Sequence, residues 1–197
     1  MTRSELKRLA IVTAAKEEFI QHGFIAANMD RVCTAAEVSK RTLYRHFESK
    51  EVLFESVLTI IQSSVDENLQ YPFDSTKSLH EQLTEISLKE AEILYHTYGI
   101  TLSRTIVMEF LRQPDMARSV ITKIYSKKAV TQWFAEAMEA GKLKKTDLKE
   151  ITNIYTSLFQ GTLFWPQVFD MQPIPSGEEL HKKIEHVVSV VLGACSI

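Results

Sequence analysis

An all-α protein is predicted, with a small N-terminal three-helix unit joined by a long helix to a larger helical body. Three observations predict it. Apolar residues recur at intervals of three and four through most of the 197 residues, and no window alternates with period two between turn residues. Residues 1–71 hold no proline and a single glycine, Gly23, whereas all five prolines fall between Pro72 and Pro175. Hydrophobic residues make up 45% and charged ones 24%, a composition that supports a packed core.

The elements follow in order. Ile11, Val12, Ala15 and Phe19 lie on one face of a first helix, which Gly23 ends because glycine accepts the left-handed C′ conformation. Met29, Val32, Cys33 and Ala36 repeat as i, i+3, i+4, i+7 on a short second helix, with Asn28 as its N-cap. After Glu37–Lys40, Leu43 and Phe47 share the face of a third short helix capped by Ser39. Ser49 caps a long fourth helix with Leu53, Phe54, Val57, Leu58, Ile61, Val65 and Leu69 on its apolar face, and Pro72 closes it. Ser78–Glu81 and Ser176–Glu179 are both spaced as capping boxes, so helices start near 79 and 177. Pro114, Gly141-Lys142 and the stretch from Pro166 to Pro175 provide the other breaks. The expected division is residues 5–65 and residues 66–197.

Two short helices joined by a tight turn, with a third packed behind, form a helix-turn-helix, here about residues 28–47. The second of the short helices in such a unit can enter the major groove of DNA. In Ser39-Lys40-Arg41-Thr42-Leu43-Tyr44-Arg45-His46-Phe47, Leu43 and Phe47 serve the buried face. Lys40, Arg41, Thr42, Tyr44, Arg45 and His46 are left for the surface. Arginine reads guanine edges bidentately, threonine offers a hydroxyl or a methyl, and tyrosine bonds phosphate. Ser49-Lys50 combines free helix-terminal amides with an ammonium, a seat for phosphate.

IVTAAKEEFIQHGF followed by MDRVCTAAEVSKRTLYRHFESKEVLF resembles the N-terminal domain of the TetR/AcrR family of transcriptional regulators. The likeness covers about residues 5–65. It includes Ala14-Ala15, Phe19, Gly23, Val38-Ser39-Lys40, Thr42-Leu43-Tyr44, Phe47 and Lys50. It implies a homodimer that binds a near-palindromic double-stranded operator and releases it when a small ligand enters the C-terminal domain, where Met108, Trp133, Tyr155 and Phe159 suggest a fairly hydrophobic effector. It also places Asn28, Ser39 and the surface residues of 40–46 at the DNA, with Tyr44 and Lys50 on phosphates. One position departs from the family, which usually has glycine where this chain has Glu37. If that turn needs positive φ, glutamate costs roughly 1 kcal/mol.

The body resembles the family more loosely. Arg104, Glu109-Phe110, Pro114 and Ala140-Gly141-Lys142-Leu143 are similar to the C-terminal domain of an AefR-like branch. Family architecture implies dimerisation through two last helices, about 147–165 and 177–192. Gly161, Ile184, Val187, Val188 and Val191 would face the partner, although such stripes also close a monomer's own core. His96, Arg104, Met108, Glu109, Trp133, Tyr155 and Phe159 are the effector-site candidates among many aromatics that also include Tyr125. Trp133 and Phe134 are adjacent and point in different directions, so they do not share one cavity.

No enzyme is expected, and no cofactor or metal. His181 and His186 are five apart and lie on different faces of a helix, unlike a zinc-binding HExxH pair. There is no glycine-rich phosphate loop and no GxSxG elbow. Cys33 and Cys195 are too few for a disulfide framework. With no apolar run near 20 residues, a cytoplasmic protein that does not enter the membrane is expected.

The net charge is −2, from 23 basic and 25 acidic side chains. That average argues against a uniformly basic nucleic-acid binder. Residues 1–50, however, carry nine basic and six acidic side chains, a net +3, against fourteen and nineteen, a net −5, in the rest. A basic head on an acidic body directs the head toward DNA. The alternative, a helical carrier or adaptor with a degenerate DNA-binding domain, rests on Glu37 and the low overall charge.

Overall fold

Thr2 opens the first helix through a capping box with Glu5: its hydroxyl accepts from the Glu5 amide, and the Glu5 carboxylate accepts from the Thr2 amide. This computed structural model describes residues 2–66, 69–124 and 129–195. The described residues form helices and loops, and no strand occurs among them. The chain divides into two units. One comprises residues 1–65 and 101–126, the other residues 66–100 and 127–197. Residues 101–126, placed in the body by sequence, therefore pack with the N-terminal helices. Periodicity identifies a helix but not which neighbour its apolar face will meet.

The N-terminal unit contains α1 (Arg3–Ala26), α2 (Met29–Ala35), α3 (Lys40–His46) and α4 (Lys50–Asp66). Gly23 interrupts α1 with φ 69 and ψ 173, and a last helical turn follows it. Ile11, Ala15, Phe19, Val32, Leu43, Leu53, Phe54 and Val57 are fully buried, as the spacing requires. Phe19, Phe24 and Phe54 pack as a trio with ring centroids 5.0–5.8 Å apart. At the start of α4, Ser49 Oγ accepts from the Val52 amide at 3.2 Å. The description of α4 ends at Asp66, and Leu69–Pro72 is non-helical, so the helix does not run to Pro72. Pro72 disfavours helix in the residue before it, and the Tyr71 ring is instead buried in the body. The side chain of Val65 and all of Tyr125 lie outside the described residues. Beyond Gly99, α6 (Ile100–Arg112) and α7 (Pro114–Ile124) meet at Pro114, which takes the first position of its helix.

The second unit contains α5 (Leu79–Glu92), α8 (Ala129–Glu139), α9 (Leu148–Leu163), the short α10 (Trp165–Val168) and α11 (Gly177–Cys195). Ser78 caps α5 by accepting from the Glu81 amide, and Asp147 caps α9 by accepting from the Lys149 and Glu150 amides. A π-helical segment, Ile93–Tyr98, continues from α5 and ends at Gly99, whose φ is 74. Nothing in the sequence signals it. The core joins Leu83, Ile86, Trp133, Phe134, Ile151, Tyr155, Leu163, Ile184, Val187, Val188 and Val191. Ile184, Val187, Val188 and Val191 are thus no outward dimer stripe. They close the unit's own core against α5 and α9, because a single apolar stripe satisfies the nearest apolar faces first. Gly161 is exposed on the opposite side of α9 from the buried Phe159 and Leu163.

Candidate nucleic-acid interface

The turn between α2 and α3 depends on one residue. Glu37 has φ 54, a left-handed conformation that favours glycine, so the strain foreseen for a non-glycine residue applies. The Glu37 amide donates to Thr34 O at 3.2 Å and the Val38 amide to Cys33 O at 3.0 Å, closing α2. Ser39 then starts α3, its hydroxyl accepting from the Thr42 amide at 3.2 Å. The helix-turn-helix forms intact around this non-glycine turn residue.

On α3, Leu43 and the following Phe47 are buried, and Arg41, Tyr44 and Arg45 are exposed, Tyr44 at 47%. Two arginines and a phenol therefore project from a short helix that is pinned from beneath. Lys40 is also exposed, with its ammonium 2.7 Å from Asp30 Oδ1 on α2. A surface pair of this kind holds weakly. The Thr42 hydroxyl lies 3.0 Å from Ser39 Oγ, which orients it locally. Arg8 sits over the Phe47 ring at 5.2 Å and adds a further cation to this end of the unit.

Asn28 has the capping role that its place in the sequence suggests, whereas His46 and Lys50 have surroundings other than those the sequence suggests. Asn28 is a cap: its Oδ1 accepts from the Asp30 amide at 2.7 Å and starts α2. His46 is half-buried beside Phe47, and its Nε2 is enclosed without a hydrogen bond, so it is not an open surface donor. Lys50 turns inward. Its ammonium donates to Ile25 O at 2.8 Å and Ala27 O at 2.9 Å and lies 4.9 Å from the Phe24 ring centre. Burial pushes the Lys50 amine below its ordinary value, against the pull of Glu51, Glu109 and Glu18.

Sequence reasoning missed Glu18 and Arg31. Glu18 is buried, and its carboxylate accepts from Arg31 Nε at 3.0 Å and Nη2 at 2.5 Å, and from the Asn28 amide at 2.7 Å. Hydrogen bonding by Arg31 is the main reason its carboxyl stays below the usual range, with the Asn28 amide adding to it and burial opposing. A signal existed: Glu18 stands at i+7 from Ile11 and i+3 from Ala15, an acid on an otherwise apolar face.

The effector-site candidates divide between the units. Arg104, Met108 and Glu109 lie on α6 in the first; Met108 is 61% exposed, while Glu109 is buried and accepts from Arg112 and Gln113. His96, Trp133, Tyr155 and Phe159 lie in the second, where His96 is exposed and the other three are buried. Trp133, Phe134, Tyr155 and Phe159 pack successively with ring centroids 5.2–6.0 Å apart. Trp133 and Phe134 do point differently, yet both enter this core. Their polar neighbours are satisfied inside the unit: Trp133 Nε1 donates to Gln82 Oε1 at 3.1 Å, and the Tyr155 hydroxyl lies 3.0 Å from Ser87 Oγ. A surface groove follows α9 and α11 instead, lined by Glu150, Asn153, Ile154, Ser157, Leu158 and Val190 among others. Among the described residues no group of three or more His, Cys, Asp or Glu could hold a metal, and no helix is long and apolar enough to cross a membrane.

An all-helical chain whose N-terminal unit presents a capped, basic recognition helix over a buried anchor has the architecture of a helix-turn-helix transcriptional regulator. The comparisons agree. A family model described as bacterial regulatory proteins of the tetR family matches residues 11–57, and one described as the AefR-like transcriptional repressor C-terminal domain matches residues 81–195. The chain belongs to the TetR family. It is 30% identical to a solved TetR family transcriptional regulator from Pseudomonas syringae pv. tomato str. DC3000, covering 100% of both chains with a TM-score of 0.81. The solved flavonoid-responsive regulator FrrA is also 30% identical, over 96% of this chain and 97% of its own, with a TM-score of 0.76. The HTH-type transcriptional regulator UidR of Escherichia coli strain K12 is 26% identical over 157 residues, 79% of this chain and 76% of its own.

Proposed function

We propose that this TetR-family regulator is a homodimeric repressor that reads a near-palindromic operator with α3 and leaves it when a small, fairly hydrophobic effector binds the body. The observation that carries the reading is the projection of Arg41, Tyr44 and Arg45 from a helix anchored by buried Leu43 and Phe47. Arg41 and Arg45 supply bidentate donors for base edges, and Tyr44 supplies a phosphate contact. The AefR-like repressor match supports the sign of the regulation, and the name of FrrA supports an effector with aromatic character.

Dimerisation uses the outer face of α9 and α11, not the buried stripe. Ile154 is 39% exposed and Val190 44%, and Ser157, Gly161 and Gly193 leave the same helices lightly covered. Two such faces allow close helix approach in a four-helix interface. The two recognition helices must then reach successive major grooves, roughly 34 Å apart. An effector releases DNA by binding better to a dimer whose helices no longer match that spacing; only this differential affinity does the work.

Selection of genomic fragments by the purified protein, followed by a gel shift, tests the reading. The expected result is a retarded duplex with an inverted repeat, occupied by two protomers. Recovery of no preferred fragment contradicts it.

A further inference from the structure

The corner from α1 to α2 runs through Ile25 and Ala26, which end α1, and the two linking residues Ala27 and Asn28, and each of the four has a backbone group tied by a charged side chain from elsewhere. Lys50 Nζ, at the start of α4, donates to Ile25 O at 2.8 Å and to Ala27 O at 2.9 Å. Between them, Ala26 O accepts from Arg31 Nη2 at 3.1 Å. The Asn28 amide donates to Glu18 Oε1 at 2.7 Å, and the same carboxylate holds Arg31. Beneath lies the Phe19, Phe24 and Phe54 trio, with the Lys50 ammonium 4.9 Å from the Phe24 ring centre.

Each bond has a clear chemical reason. The last carbonyls of α1 have no intrahelical partners and carry the negative end of its dipole, so cations satisfy them. A compact ammonium reaches two carbonyls that are two residues apart. The bonds to Glu18 are charge-assisted, and its burial leaves it dependent on Arg31. Asn28, fixed at its amide, is also the N-cap of α2. The corner therefore determines where α2 begins and at what angle α2 and α3 leave α1.

We propose that Glu18, Arg31 and Lys50 form a charged clamp on this corner, and that Lys50 governs DNA affinity as a positioning residue rather than as a phosphate contact. The clamp rests on the DNA-binding reading above, since its effect is on how α3 is presented. Lys50→Met keeps the apolar stem but lets go of both carbonyls. Glu18→Leu suits the apolar face of α1 while freeing Arg31 and the Asn28 amide.

The experiment measures binding to a duplex selected from a random-sequence library by the wild-type protein, as a function of salt. Lys50→Met is expected to weaken binding at least tenfold with an unchanged slope of log affinity on log salt. A loss of about 0.9 in slope per protomer would make Lys50 a phosphate contact and overturn the clamp. Glu18→Leu separates the ideas by sign. Removing an acid strengthens attraction to DNA if electrostatics alone counts, whereas loss of the clamp weakens binding severalfold. Binding as tight as wild type, or tighter, overturns the proposal. Arg41→Ala reports on the interface separately, by weakening binding and relaxing base preference. Hydrogen exchange at the Asn28 amide reads the clamp without DNA: at least tenfold faster exchange in Glu18→Leu is expected, and an unchanged rate overturns it.

Discussion

The two units satisfy their buried polar groups in different ways. In the N-terminal unit charged side chains close the backbone: Lys50 and Arg31 take the carbonyls at the end of α1, and Glu18 takes the amide that precedes α2. In the body's core neutral groups do most of this: Gln82 joins Trp133 to the backbone carbonyls of Asp74 and Lys77, and Tyr95 donates to Leu163 O, while one carboxylate, Glu136, accepts from the half-buried Phe73 amide. The difference teaches where charge sensitivity should lie. A corner tied by ions responds to pH and charge substitution, while a core built on aromatics and neutral hydrogen bonds responds to volume.

Substitutions in each unit sharpen or break that contrast, beginning with the largest effect. Trp133→Ala is expected to cost about 3–5 kcal/mol, since it empties a fully buried site and removes one of the two donors to Gln82 Oε1, leaving the Asp74 amide. Urea unfolding measures it, and a loss under 1 kcal/mol would show that the aromatic ladder is not a rigid core. On α3, Arg41→Ala should cost about 1–3 kcal/mol of operator affinity and relax base preference, while Tyr44→Ala weakens all sites alike. Competition gel shifts distinguish these patterns.

Charge in the corner produces a pH dependence. Arg31, chiefly, holds the Glu18 carboxyl below its ordinary value near 4.5. Its contribution is present above that value and is lost as pH falls through the lower folded-state value. The urea midpoint of wild type should therefore fall across this acidic window more steeply than that of Glu18→Gln. Parallel curves would contradict the assignment. The smallest expected effect is at the turn. Glu37→Gly relieves the φ of 54 and removes an acid about a helical turn from the DNA face, which should tighten operator binding roughly threefold.

The N-terminal fold was legible because its sequence signals act locally. Asn28 and Ser39 cap the helices they precede, and Ile11, Ala15, Phe19, Leu43 and Phe47 are buried as their spacing demands. The exposure of Arg41, Tyr44 and Arg45 followed from the same spacing, because two buried anchors decide what remains outside. The inward partners of Lys50 were not legible because they lie 23 and 25 residues upstream, beyond any helical period. The body was less legible. Aromatic residues at helical spacing fit a core as well as a ligand site, and only packing distinguishes them. The stripe from Ile184 to Val191 satisfies its own unit, so α11 turns Val190 outward. Val190→Glu should accordingly convert a dimer to monomers in sedimentation without unfolding the chain, whereas an unchanged dimer would exclude this face.

The most direct test of the central claim is the salt dependence of binding to the selected duplex. A recognition helix seated among phosphates releases counterions, and each phosphate contact contributes about −0.9 to the slope of log affinity on log salt. A steep, linear fall that becomes shallower when Arg45 is replaced by alanine is the result expected. Affinity that stays flat from low to physiological salt, or a slope that Arg45→Ala leaves untouched, would contradict the account.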